Sequence, residues 1–185
     1  MTGVFCPCHI AVVHDIMNVN NLNLQRSRID MAGPLSVRKI TDAADLDQMT
    51  DWMYEWWGRR EGYSYEAVRA NMAHSMQEER LPQTYGLFWD DKLVGMYQFT
   101  NGDLFPRPDL YPWLANLCVE KSCRGNGFGR FLIESVQDSA KNAGLKELYL
   151  FTTHNGLYEK FGWTFVEEID TFLEPRMQRL YKIEL

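Results

Sequence analysis

Between Pro112 and Arg130 the chain reads as a strand, a glycine-rich turn and a helix start, and no other stretch limits its fold so tightly. Trp113, Leu114, Ala115, Leu117, Cys118 and Val119 make a nearly unbroken apolar run, the pattern of a strand covered on both faces. Gly125, Gly127 and Gly129 come next. Phe128, Phe131, Leu132, Val136, Ala140 and Ala143 then recur at the spacing of one helix face.

The opening turn of that helix has the wrong chemistry for stability alone. Glycine costs a helix about 1 kcal/mol relative to alanine. Lys121, Arg124 and Arg130 cluster where the helix dipole favours acids, and the first acid after Arg124 is Glu134. A bound anion resolves both anomalies, because glycines let backbone N–H groups approach a phosphate and the arginines neutralise it. A P-loop is excluded, since no Lys-Ser or Lys-Thr follows the glycines. The spacing Gly-x-Gly-x-Gly, deep in the chain and preceded by Arg, does not fit a dinucleotide fingerprint either.

The residues resemble the GNAT superfamily of N-acetyltransferases. Its Arg/Gln-x-x-Gly-x-Gly/Ala signature is matched by Arg124, Gly127 and Gly129. The Tyr-x-x-x-Gly-Phe-like element that follows the next strand in that family is matched by Tyr158, Gly162 and Trp163. The resemblance covers about Ser36 to Leu185. It implies an α/β (α+β) fold: a mixed central sheet of six to seven strands, flanking helices, and a parallel strand pair that splays to admit a pantetheine arm. It also implies acetyl-CoA as cosubstrate. Arg124, Gly125, Asn126, Gly127, Phe128 and Gly129 would hold the pyrophosphate, with Arg130 as an extra charge. Backbone groups of the Leu117–Cys118–Val119 segment would pair with the pantetheine, and an N–H near Leu117 would face the thioester oxygen. Tyr158 would protonate the departing thiolate, as a phenol of pKa about 10 can for a thiol of about 8.5. Without the resemblance, Tyr158 reads as a core aromatic beside Phe161 and Trp163.

One departure stands out. The family commonly places an Asn seven residues before the tyrosine, where Phe151 stands here; Asn155 is the nearest replacement for its cofactor contact. No general base is evident. His154, Glu55, Glu61, Asp103, Asp109 and Glu120 all qualify by residue type. Trp52, Tyr54, Trp56 and Trp57 are core residues or the wall of an acceptor site, which the family builds partly from its first two helices.

Composition narrows the function further. A net charge of −6 argues against general nucleic-acid binding and suits a cationic amine, either a small molecule or a peptide amino group. No apolar run approaches the roughly 20 residues of a membrane helix, so neither a membrane nor a nucleic-acid partner is expected. The four cysteines form no disulfide framework, which points to the cytoplasm. Cys6-Pro-Cys8-His9 lacks a second ligand pair, so no metal site is expected. Residues 1–34, with Asn18, Asn20, Asn21 and Asn23 in an aperiodic stretch, read as an N-terminal arm, flexible or a leader ahead of Met31. Residues 35–185 read as the N-acetyltransferase domain. The alternative function is an acyl-CoA sensor or scaffold of the same fold without turnover, and the resemblance admits a homodimer through terminal strands.

The remaining elements follow from pattern. A strand is expected over 36–40, a helix after Thr41 or Asp42 ending at Gly58, and a second helix over about 64–79. A hairpin should join 84–89 to 92–100 across Asp90-Asp91. Later strands are expected over 146–152, 163–169 and 178–183, with a helical turn over 156–161.

Overall fold

A computed structural model describes residues 33–172 and 175–185. The arm expected over 1–34, apart from Gly33 and Pro34, and the Cys6-Cys8-His9 cluster lie outside the described residues. Seven strands form one sheet in the order β1-β2-β3-β4-β5-β7-β6. They are β1 (Leu35–Ile40), β2 (Gln83–Trp89), β3 (Lys92–Thr100), β4 (Trp113–Val119), β5 (Glu147–Thr152), β6 (Thr164–Asp170) and β7 (Met177–Glu184). Neighbours pair antiparallel except β4 and β5, which run parallel.

Helices cover both faces, which explains the unbroken apolar run of β4. On one face α3 (Phe128–Asn142) packs Phe128, Leu132, Ile133, Val136 and Ala140 against Leu114, Leu117 and Val119. On the other, α1 (Leu46–Met53) and α2 (Tyr65–His74) enclose Met49, Met53, Trp57, Val68 and Met72 with Phe88, Leu93 and Met96. A third cluster of Leu104, Trp113, Tyr149, Phe151 and Leu180 fills the space beside the start of β4. Among the described residues, no helix is long and apolar enough to cross a membrane.

Local chemistry accounts for most element ends. Asp90 and Asp91 both sit at positive φ, 51° and 58°, the geometry that lets a two-residue turn match the strand twist. Ser64 caps α2 by accepting the Ala67 N–H. Two expectations are corrected. The first helix does not run as α-helix to Gly58: from Tyr54 to Gly58 it widens into a π segment, with the Arg59 N–H bonded to the Tyr54 carbonyl. The wider turn leaves Trp57 in the α1–α2 core while Trp56 also reaches the cluster around Trp113. The second helix stops at His74 rather than continuing to Glu79. Ser75 bonds back to the Asn71 carbonyl, its own carbonyl accepts from Thr84, and the chain turns into β2.

Candidate active site

Two irregularities create an opening in the middle of the sheet. Met96 pairs with Cys118 but Gln98 pairs with Ala115, so Asn116 and Leu117 together oppose Tyr97. This is a β-bulge, and it bends β4. Asn116 carries it, with φ at 51° inside a strand. Asparagine is one of the few non-glycine residues that adopt this conformation readily. Its Nδ2 donates to Gln98 Oε1 at 2.6 Å, while its Oδ1 is buried without a partner.

The second irregularity is the parallel pair itself. Among the described residues, β4 and β5 share one register pair, Trp113 with Tyr149, supported by the Tyr149 N–H bonded to the Pro112 carbonyl at 3.0 Å. Beyond it the strands separate, and the edge of β4 from the bulge onward is open.

Asn116 belongs to none of the motifs that mark the site in the sequence. The signal was there: an asparagine interrupting a buried apolar run needs a reason. Asn116→Ala should destabilise the fold by about 2–4 kcal/mol, combining an orphaned Gln98 oxygen with the left-handed penalty. Asn116→Gly should recover about 1 kcal/mol of that, and urea unfolding of the two variants would separate the terms.

The open edge of β4 leads to the glycine turn. After Val119 the chain forms a 3₁₀ turn at Lys121–Cys123, then the glycines, then α3. Gly125 and Gly127 have φ of 83° and 84°, and a Cβ added at either would meet nothing within 4 Å. Their glycine identity therefore serves backbone conformation and keeps the ground in front of α3 clear. Gly127 caps α3 with no side-chain hydrogen bond, and no acid lies in the first helical turn. The leading N–H groups of α3 border a pocket lined by Val119, Arg124, Gly125, Gly127, Phe128 and Gly129. Arg124 is anchored through Nε to the Val119 carbonyl at 3.0 Å, which leaves its two terminal nitrogens without partners among the described residues. Asn126 Nδ2 donates to the Cys123 carbonyl at 3.0 Å and stiffens the turn. Phe128 is fully buried and anchors α3 rather than lining open space with its ring. Arg130 is exposed and paired with Glu134 at 2.8 Å.

In the segment between β5 and β6, Tyr158 begins a short 3₁₀ turn (Tyr158–Phe161) that closes on Gly162 at φ 86°. Its ring is buried, with Trp163 and Tyr181 each 6.0 Å away between centroids. Burial, with a smaller contribution from Tyr181, pushes its phenol well above the usual tyrosine range. Such a phenol stays protonated at every physiological pH. Asn155 is exposed on the loop before that turn, while Phe151 is fully buried against Trp113 and unable to offer a polar contact. Burial likewise drives the Cys118 thiol up to about 12, against the opposing pull of Arg124.

The acid and base candidates separate by environment. Glu55 is paired with Arg59 and Asp109 with Arg107, both on the surface. Glu120 accepts a hydrogen bond from the Trp52 indole at the end of β4. The backbone N–H of His154 bonds to Thr152 Oγ1. Glu61 lies in the turn that follows the π segment and Asp103 just past β3, near enough for the charge of Glu61 to act on Asp103. Burial raises both, Asp103 well above its ordinary value; Arg60 opposes the rise at Glu61, and the charge of Glu61 adds to it at Asp103. A carboxyl whose folded pKa is raised binds its proton more tightly in the folded state than in the unfolded one. Stability should therefore fall as pH rises above about 3.8, until the folded pKa of Asp103 is passed. Asp103→Asn should flatten that slope in denaturant titrations across pH, and an unchanged slope would refute the assignment. Among the described residues, no group of three or more His, Cys, Asp or Glu is arranged to hold a metal.

Comparison with known proteins places this architecture. The family model described as Acetyltransferase (GNAT) family matches residues 46–163, the span from α1 through the glycine turn to Trp163. No curated protein matches the sequence. Among solved structures, aminoglycoside 6'-acetyltransferase type Ii is 19% identical with a TM-score of 0.61, over 82% of this chain and 96% of that one. A GNAT family acetyltransferase from Elizabethkingia anophelis with acetyl-CoA bound is 18% identical with a TM-score of 0.56, over 82% and 98%. An acetyl transferase from Salmonella typhimurium that modifies the N-terminal serine of a 50S ribosomal subunit protein is 13% identical with a TM-score of 0.60, over 85% and 98%. With the bulged β4, the splayed parallel pair and the glycine turn all inside or beside the matched segment, the chain belongs to the acetyltransferase (GNAT) family.

Proposed function

We propose that residues 35–185 transfer the acetyl group of acetyl-CoA directly to an amine acceptor. The observation that carries this reading is the continuity between the anion cradle of Arg124–Gly129 and the open edge of β4. A pyrophosphate in the cradle would be met by the α3 N–H groups and the free nitrogens of Arg124. The attached arm would then run along Leu117–Val119. The bulge at Asn116 turns the local backbone, and the Leu117 N–H is our assignment for the thioester oxygen. The neighbour from Elizabethkingia anophelis, solved with acetyl-CoA, supports the choice of donor.

The state of Cys118 supports direct transfer. A Cys118 held near 12 supplies almost no thiolate at neutral pH, so it is a poor relay for the acetyl group. The amine must attack in its neutral form, and the leaving thiolate must be stabilised. Tyr158 is the donor we assign. Because its pKa lies above that of a thiol, full proton transfer from it is uphill, and its role is a hydrogen bond that strengthens as charge develops on sulfur. A net charge of −6 favours a cationic acceptor. The neighbours include an enzyme named for aminoglycosides and one that modifies a protein N-terminus.

Calorimetric titration with acetyl-CoA, followed by a screen of amines for free-thiol release, tests the reading. Micromolar binding and amine-dependent thiol release are expected. Absence of binding would overturn it, and binding without release to any amine would leave a sensor of the same fold.

A further inference from the structure

Asp103 lies just past the end of β3, is 1% exposed, and has no hydrogen-bond partner for either carboxylate oxygen. The adjacent Leu104 packs with Trp113, Tyr149 and Phe151, which sets Asp103 at the closed end of the splayed strands. Glu61 approaches from the turn after the π segment. Its Oε1 accepts from Arg60 at 3.3 Å, and its Oε2 is enclosed without a partner. Leaving a buried polar group unpaired costs about 1–3 kcal/mol, and more if it is charged. Nothing in acetyl transfer itself requires three orphaned oxygens in this place.

The course of α1 connects the pair to the reaction site. Trp52 meets Glu120 at the end of β4, and Trp56 meets the cluster around Trp113 at its start. The two half-buried indoles stand one turn apart, Trp52 against the residue that follows β4 and Trp56 against the cluster at its start. From Leu117 back to Trp113 is four residues, about 13 Å of strand. Aliphatic segments suit indole walls, and an ammonium suits both the indole faces and paired carboxylates. Arg59, Arg60 and Gly62 are exposed, so the pair lies only one turn beneath the surface.

We propose that Glu61 and Asp103 hold a second cationic group of the acceptor. The acceptor would then be a diamine or polyamine whose far ammonium docks between these carboxyls while its near amine reacts beside Leu117. The inference rests on the acetyl-transfer reading for the near amine alone. In the free protein burial favours the protonated form of Asp103; an entering ammonium supplies the compensating charge, and the displaced proton leaves to solvent. Arg60 is the charged neighbour that keeps Glu61 the readier of the two to ionise.

The test compares α,ω-diaminoalkanes of increasing length with n-alkylamines of matched length, in the parent protein, Asp103→Asn and Glu61→Gln. Diamines long enough to span about 13 Å should be preferred by kcat/KM. That preference should fall at least tenfold in either variant, through KM rather than kcat. Calorimetric titration of the preferred diamine into the CoA-saturated protein gives a readout independent of turnover, and its heat should be lost in both variants. Diamines no better than monoamines, or a preference untouched by both substitutions, would overturn the proposal. If no amine is acetylated yet diamine binding is present and lost in the variants, the carboxyl site stands and the transfer reading falls.

Discussion

Acetyl-CoA affinity should fall by about 10³-fold when Arg124→Ala is combined with Gly127→Asp. The arginine contributes charge-assisted bonds of about 1.5–3 kcal/mol, and an aspartate at the head of α3 sets a negative charge against the pyrophosphate. Together these reach the roughly 4 kcal/mol that such a loss represents. Position 127 is well chosen because a Cβ there meets nothing in the free protein, so packing is not the cause of failure. The φ of 84° does impose strain on an L-residue, about 1 kcal/mol. Gly127→Asn supplies the control: asparagine tolerates that conformation and adds no charge, so it should bind markedly better than Gly127→Asp. Equal losses would point to a disturbed turn rather than to electrostatics. Unchanged binding in the double variant would remove the cofactor from the turn altogether.

Tyr158→Phe should lower kcat by about 10²-fold while leaving acetyl-CoA affinity within a factor of about two. The ring keeps its contacts with Trp163 and Tyr181, so the core is preserved and the change isolates the hydroxyl. The pH dependence carries additional information. Burial raises the phenol's pKa, so Tyr158 remains protonated throughout the neutral and mildly alkaline range, and the ratio of parent to variant rates should be flat there. An alkaline limb that disappears with the hydroxyl would show instead that Tyr158 titrates within the working range. A variant with full activity would return Tyr158 to the ordinary role of a core aromatic.

These two variants probe two parts of the proposed site, and the parts differ in how much of them was legible beforehand. The cradle was legible because each part is local. The glycines, the cations and the absence of acids occupy consecutive positions, and helix-end electrostatics act within a single turn. The seven-strand mixed sheet and the two-sided burial of β4 agree with the fold that the resemblance implied. The hairpin across Asp90-Asp91 was equally local, its turn signal carried by two adjacent residues. Where local reading failed, a distant partner had intervened. The second helix ended early because Thr84, on the following strand, engages the Ser75 carbonyl.

The chain's own order of residues thus carried the expectation of a phosphate-bearing ligand at the start of α3, since that signal needs no tertiary contact. It also singled out Tyr158 as a candidate by type and position, without its surroundings. Only the tertiary structure decided that Asn116 bulges β4 against β3, that β4 and β5 part after one register pair, and that Glu61 and Asp103 are each enclosed with an unpartnered oxygen. Each of these depends on groups far apart in sequence. Carboxyls in particular look alike in a sequence whether they are solvated, paired or buried; the cost of removing them from water, which distinguishes Asp103 from Asp109, exists only once the fold has enclosed one and left the other exposed.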